Sequence, residues 1–167
     1  MENLPETVNT QSVALAIYNP TPGTKAIDIR RQMLQLPEVA KSLSGVEKYI
    51  FAASTKMQIA DIDDDTLIAK TGQMFRFIAM DVGYIIPTNS EDWAYICTRL
   101  LDILKKYYSQ MTLADIKLAF ELATTGELDD YLPKDSQGTP DKKHYQQFNA
   151  DYFAKVLNAY RRKQNGV

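Results

Sequence analysis

Apolar residues recur at intervals of three and four along most of this chain, the spacing that places them on one side of an α-helix. The clearest run lies between positions 93 and 108 and predicts a helix that begins after the break at Pro87. Thr88, with Glu91 three residues later, is its predicted N-cap. The apolar side of this helix is predicted to comprise Trp93, Ile96, Cys97, Leu100, Leu101, Leu104, Tyr107 and Tyr108.

The following helix is marked at both ends. Thr112 and Asp115 form a variant of the capping box, in which Asp replaces the usual Glu or Gln. Gly126 stands where a residue in the left-handed conformation commonly ends a helix. Together these residues predict a helix over 113–125, with the short link before it favouring antiparallel packing against the preceding helix.

A third helix is predicted to start at Asn149. Phe148 precedes this cap and Phe153 lies four residues into the helix, so the two rings can form a hydrophobic staple. With the two helices before it, this one completes a predicted three-helix unit over 88–163. The polar connection 127–147 is long for a structureless loop, which indicates a working or a mobile segment.

Upstream of this unit the pattern is also helical. It predicts helices over 25–43 with a break at Pro37, over about 46–60, and over about 65–82. Alternating patterns are almost absent, although Val13–Tyr18 could form a small hairpin strand. The expected fold is therefore all-α: a compact bundle of six to seven helices with a mobile N-terminal tail. The predicted organisation is a flexible segment 1–22 followed by a single α-helical domain, 23–167.

Composition narrows the class of protein. The chain has 167 residues, 45% of them hydrophobic and 24% charged, with a net charge of −2, all ordinary for a soluble globular protein. The start of the sequence lacks the pattern of a signal peptide, and no apolar run approaches the length of a membrane span. We expect a cytoplasmic protein that does not associate with membranes.

The candidate chemical motifs fail at diagnostic positions. The acidic run 61–65 has the start of an EF-hand loop, but Thr66 replaces the required Gly and Gly72 the bidentate Glu, so these carboxylates are interpreted as helix-capping groups. His144 and Cys97 are the single His and Cys, too few for a zinc site. No glycine-rich phosphate loop is present. The sequence thus predicts no catalytic site, no metal site and no cofactor, and a protein that is not an enzyme.

The C-terminal region combines basic and aromatic side chains. Cations with interleaved tyrosines suit single-stranded nucleic acid, which offers phosphates and stackable bases. The alternative is that the last cations complement the helix C-terminus while the tyrosines pack inside. The candidate residues for binding nucleic acid or a partner are Lys142, Lys143, Tyr145, Tyr160, Arg161, Arg162 and Lys163.

Several segments also carry a family resemblance. They are Met111–Phe120, Gly126–Leu128, His144–Asn149 and Val156–Tyr160. Over about residues 65–163 the chain resembles small α-helical proteins from replication modules of phages and prophages of Bacteroidetes-type hosts, some of which look like helicase loaders or replisome organisers.

This resemblance implies a non-enzymatic role in phage replication. Such a protein binds a replicative helicase and helps to place it on single-stranded DNA, with the basic C-terminal helix facing the DNA or the partner. The alternative is a protein–protein interaction module of a phage, either a virion component or an inhibitor of a host enzyme. In either case the working surface is expected in the loop 127–147 and the basic helix that comes after it.

Overall fold

The computed structural model of the chain describes residues 26–43, 45–141 and 148–166. These residues form α-helices, two short 3-10 turns and two isolated bridges, and they contain no strand, so the all-α prediction is confirmed. The segment 1–22, predicted to be a mobile tail, lies outside the described residues. A single domain over 23–167 is predicted, but the chain divides between Lys56 and Met57 into two compact units.

The first unit, Met1–Lys56, contains three short helices in its described part. They are α1 (Ala26–Leu34), α2 (Pro37–Ser42) and α3 (Gly45–Ala53). Pro37 breaks the predicted helix and begins α2, since proline fits the first turn of a helix, where no backbone donor is needed. Arg31 Nε donates to the carbonyl of Thr55 at 2.7 Å, which joins α1 to the turn after α3.

The second unit, Met57–Val167, contains four longer helices in its described part. They are α4 (Asp64–Asp81), α5 (Ser90–Tyr107), α6 (Leu113–Thr125) and α7 (Ala150–Asn165). The most extensive contacts join α4 to α5, α5 to α7, α7 to α6, and α6 to α4, so that they form a closed ring.

A short polar side chain caps the N-terminus of each of these four helices. Asp63 accepts a hydrogen bond from the amide of Thr66 at 3.0 Å, so its predicted capping role is confirmed. Hydrogen bonds from the backbone amide and then the side chain of Thr66 hold the pKa of the Asp63 carboxyl below its usual value. Asn149 caps α7 as predicted. For α5 the prediction is wrong by one residue, because Asn89 and not Thr88 accepts from the first turn.

Helix α6 confirms its prediction at both ends. The Thr112 hydroxyl accepts from the amide of Asp115 at 2.9 Å, and the Asp115 carboxylate accepts from the amide of Thr112 at 3.0 Å, completing the capping box. Gly126 ends the helix at φ 86°, a conformation that costs glycine little and other residues more.

Aromatic side chains fill the core between the four helices. Phe153 on α7 lies edge-on to Phe75 on α4, with ring centroids 5.6 Å apart, and 4.8 Å from the Phe120 ring on α6. Phe148 packs 5.9 Å from Phe153, so the predicted staple at the start of α7 is present. These contacts bring the apolar sides of α4, α6 and α7 into one core.

One polar network lies within this core. The Asp115 side chain is 2% exposed, and its Oδ1 accepts from the Tyr160 hydroxyl at 2.7 Å and from Gln164 Nε2 at 3.2 Å. A buried carboxylate needs such donors because it has lost its water shell. The start of α6 is thereby joined to the end of α7.

Replacing Tyr160 by Phe tests this joint. The Tyr160→Phe change leaves the ring in place but removes a donor to the buried Asp115 carboxylate, so we expect a loss of about 1–3 kcal/mol in the free energy of unfolding. Urea titration followed by circular dichroism measures it. The matched change Tyr95→Phe, at a side chain 73% exposed, should alter stability by less than about 0.5 kcal/mol. Equal effects of the two changes would contradict a special role for Tyr160.

Candidate nucleic-acid interface

Three consecutive cations come directly after the buried Tyr160 near the end of α7. Tyr160 points inward to Asp115, so Arg161, Arg162 and Lys163 fall on the remaining sides of the helix. The Arg161 guanidinium lies over the Tyr108 ring at 5.3 Å and donates to the carbonyl of Tyr107 at 3.5 Å.

The other two cations lie against a different aromatic residue. Arg162 Nη1 donates to the carbonyl of Tyr131 at 2.9 Å, and Lys163 Nζ lies 5.5 Å from the centre of the Tyr131 ring. Tyr131 belongs to the 3-10 turn that comes after α6 and packs against α7. The cations therefore flank the helix end, one toward α5 and two toward this turn.

The end of α5 meets the end of α7 and brings further basic groups. Lys106 Nζ lies 5.3 Å from the centre of the Tyr107 ring, and the Tyr107 side chain is 60% exposed. Tyr108 is buried, and its hydroxyl donates to Asn158 on α7 at 2.9 Å. Lys105 is engaged by Asp64 at 2.9 Å.

We define the basic surface by the side chains that these contacts bring to the two helix ends. They are Lys106, Tyr107, Tyr131, Arg161, Arg162 and Lys163. Its two sides differ in charge, because Asp129 and Asp130 adjoin Tyr131 and reduce the positive potential there. The stronger attraction for an anion is thus on the side of Lys106, Tyr107 and Arg161.

The structure separates the sequence-predicted site residues into three groups. Arg161 and Arg162 are exposed and Lys163 is half-buried, so these three can face a partner. Tyr160 is fully buried, so its prediction as a base-stacking residue is wrong: the aromatic spacing of α7 turns this ring into the core. Lys142, Lys143 and Tyr145 lie outside the described residues.

Sequence reasoning does not identify Lys106, Tyr107 and Tyr131 as site residues. The spacing predicts Tyr107 on the apolar side of α5, but this side chain lies at the final residue of that helix and remains mostly exposed. A usable signal is present in the sequence: Lys105–Tyr108 places two lysines beside two tyrosines, much as Tyr160–Lys163 places a tyrosine beside three cations.

The described part of the loop 127–147 is held in place by buried side chains and hydrogen bonds. Leu128 and Leu132 are buried, and the Asp135 carboxylate accepts from the amides of two residues in the turn that comes after it. Lys155 on α7 contacts Asp141 at 3.0 Å, and its hydrogen bonds with Asp141 and then Asp151 raise the pKa of its ammonium. Up to Asp141 the loop therefore has defined hydrogen bonds.

Other chemistry in the described residues is limited. Cys97 is half-buried, and burial raises the pKa of its thiol, which disfavours the reactive thiolate at neutral pH. Within residues 26–43, 45–141 and 148–166, no three His, Cys, Asp or Glu side chains group in a way that could hold a metal ion. None of the helices in those ranges is long and apolar enough to cross a membrane.

Known proteins supply no further assignment. No protein-family model, curated protein or solved structure matches this chain. The function proposed below is therefore inferred from the basic surface and from the sequence resemblance over about residues 65–163.

The contact between Arg161 and Tyr108 predicts how substitution of Arg161 changes the pKa of the Tyr108 phenol. Burial raises the pKa of the Tyr108 phenol, and the nearby Arg161 guanidinium opposes that rise by favouring the phenolate. Arg161→Gln should therefore raise the pKa of Tyr108 further, as measured by NMR titration of the tyrosine Cζ carbons. Arg162→Gln, which removes a cation directed at Tyr131, should leave it unchanged. A Tyr108 pKa insensitive to Arg161→Gln would show that the guanidinium does not occupy this position.

Proposed function

We propose that this protein is a non-enzymatic accessory protein of phage DNA replication, similar to helicase loaders, that binds single-stranded DNA and a replicative helicase. The observation that carries the DNA-binding part is the exposed Tyr107 ring beside Lys106 and Arg161. The replication setting and the helicase partner rest on the resemblance over about 65–163.

The chemistry of the basic surface favours a single strand over a duplex. An exposed tyrosine ring offers a flat face on which an unpaired base can stack, whereas the faces of bases in a duplex are already covered. Lys106 lies against this ring and Arg161 donates to the carbonyl of the same residue, so both cations are close enough to reach phosphates next to a stacked base. The bases and the phosphates of a single strand thus each have a matching group on the basic surface.

The arginines retain donors for such a ligand despite their structural contacts. Cations at a helix C-terminus also neutralise the negative end of the helix dipole, which explains part of this arrangement without any ligand. A guanidinium has five N–H donors, and the backbone carbonyl contacts of Arg161 and Arg162 each use one of them. Because both side chains are exposed, the other donors are open to phosphate oxygens.

An interaction module of a phage, a virion component or an inhibitor of a host enzyme, is the second candidate. The observation that favours it is on α4, where Phe77 is 56% and Met80 63% exposed, three residues apart on one side of the helix. Adjacent exposed apolar side chains mark protein contacts more often than DNA contacts. Absence of DNA binding at low salt would count only against the DNA-binding part of the first candidate; absence of both DNA binding and helicase binding would favour this second candidate.

Substituting Tyr107 tests the stacking role. Tyr107→Ala should weaken binding to a short single-stranded oligonucleotide by about 1–3 kcal/mol, or roughly 5- to 150-fold, because it removes the ring on which a base stacks. Tyr107→Phe keeps the ring and should retain most of the affinity. Fluorescence anisotropy with a labelled oligonucleotide measures both. A loss with Phe as large as with Ala would exclude stacking as the reason.

The cations are tested by a salt series. Affinity for single-stranded DNA should fall steeply with salt. The double variant Arg161→Ala, Arg162→Ala should reduce the slope of log affinity against log salt by about 0.7 for each phosphate that its arginines neutralise. Arg76→Ala is the control, since this exposed arginine lies on α4 and its charge acts on Cys97, which is ten residues before Tyr107 on α5. An equal slope for the double variant and the control would remove the basic surface as the binding site.

A further inference from the structure

A second candidate site lies between α4 and α6. The two helices form a groove of about 300 Å³. Residues that line it include Lys70, Met74, Phe77, Asp81, Lys117 and Glu121. None of them belongs to the basic surface, so a ligand of the groove is independent of DNA binding at that surface.

The floor of the groove is apolar and one wall projects an aromatic ring. Met74 on α4 and Phe120 on α6 are buried beneath it, while Phe77 is 56% exposed at its side. Met80 continues the apolar surface one turn further along α4 and is 63% exposed. Water against such a surface is displaced favourably by an apolar partner.

Helices α4 and α6 run in the same general direction along this groove. The amide of Ile59, before α4, donates to the carbonyl of Met111, before α6, at 2.8 Å, so the two helices start close together. At their other ends, Asp81 and Thr124 line one small cavity. Positions along one helix can therefore be compared with positions along the other.

That common direction gives the groove a charge polarity. Lys70 and Lys117 lie in the second turns of α4 and α6, whereas Asp81 and Glu121 lie farther toward their C-terminal ends. All four side chains are exposed. The groove thus has a basic end and an acidic end with apolar residues between them.

We propose that this groove binds an amphipathic helix of a partner protein, with an acidic N-terminal end, an apolar face at i, i+3, i+4 and i+7, and a basic C-terminal end. The apolar face would cover Phe77 and the floor, the usual mode of helix-in-groove recognition. The acidic end would face Lys70 and Lys117, and the basic end Asp81 and Glu121.

The chemistry of helices supports this choice of occupant and its orientation. Helices favour acidic residues in the first turn and basic residues in the last, because of the helix dipole. A helix with that natural polarity matches the groove only when its N-terminus lies at the lysine end. The rise from Lys70 to Asp81 along α4 corresponds to about 16 Å, so an occupant of about three turns spans it.

Two synthetic peptides with opposite charge polarity test the proposal on the full chain. The first is a labelled, end-blocked helical peptide of about 14 residues, with glutamates at its start, leucines on one face and lysines at its end. The second has the same composition with the charged ends exchanged. By fluorescence anisotropy the first should bind about tenfold more tightly, and the difference should shrink at high salt. Absence of binding, or equal binding of both peptides, overturns the proposal.

Substitutions of groove residues test whether the first peptide binds in this groove. Phe77→Ala should weaken binding of the first peptide about tenfold or more, while Ile85→Ala, at a side chain 76% exposed outside the groove lining, should not change it. The exchange Lys117→Glu with Glu121→Lys should reduce the preference for the first peptide over the second. Unchanged binding in the Phe77 variant, or an unchanged preference after the exchange, overturns the proposal.

The oligomeric state separates a partner helix from a second copy of this chain. Light scattering should show a monomer both for the unmodified protein and for Phe77→Ala. A dimer that Phe77→Ala converts to a monomer would mean that the groove is filled by a second copy, which also overturns the proposal.

Discussion

The buried carboxylate of Asp115 is the constraint on which the second unit depends. Removed from water, it must keep its donors, and these come from the start of its own helix at Thr112 and from Tyr160 and Gln164 at the end of α7. The bonds to Tyr160 and Gln164 fix the rotation of the last turns of α7 about its axis. Since those two residues face inward, Arg161 and Arg162 between them must face outward. The interaction that joins α6 to α7 therefore also positions the cations.

A second constraint comes from the meeting of two helix C-termini. The ends of α5 and α7 both carry carbonyls without intrahelical partners and a partial negative charge, so their approach is unfavourable unless cations lie nearby. Arg161 meets this need by donating to the carbonyl of Tyr107, whereas Arg162 donates to the carbonyl of Tyr131 in the 3-10 turn after α6. A structural role and a binding role are compatible here, because each guanidinium uses one donor inside the protein and keeps the others in solvent. Stability explains why the cations are present, and their exposure explains what they can bind.

The sequence predicted best the features that depend on neighbouring residues. Thr112, Asp115 and Gly126 mark the limits of α6 through contacts within a few positions, and Pro37 breaks a helix by itself, so both predictions hold. The spacing of α7 places Tyr160 on the buried side, but the partner of its hydroxyl and the exposure of Tyr107 show where local patterns fail. The partner of Tyr160 lies 45 residues away, and no local spacing reveals that its hydroxyl is required inside. Tyr107 has the right spacing for the apolar side of α5, but whether a neighbouring helix covers that last residue depends on the packing of the whole unit.

The order of the helices gives the two candidate surfaces a defined relation. Within the ring, α5 and α7 form one edge and α4 and α6 form the opposite edge, and the other extensive contacts join α4 to α5 and α6 to α7. The basic surface lies at the ends of the first pair, and the groove lies between the second pair. An occupant of one edge therefore does not displace an occupant of the other. Unless the bundle has two packing arrangements that the ligands distinguish, the two affinities should be independent, because coupling requires a difference in binding between two states. Under the two proposals, the positions of the sites are enough for the bundle to bind a nucleic acid and a helix of another protein at the same time.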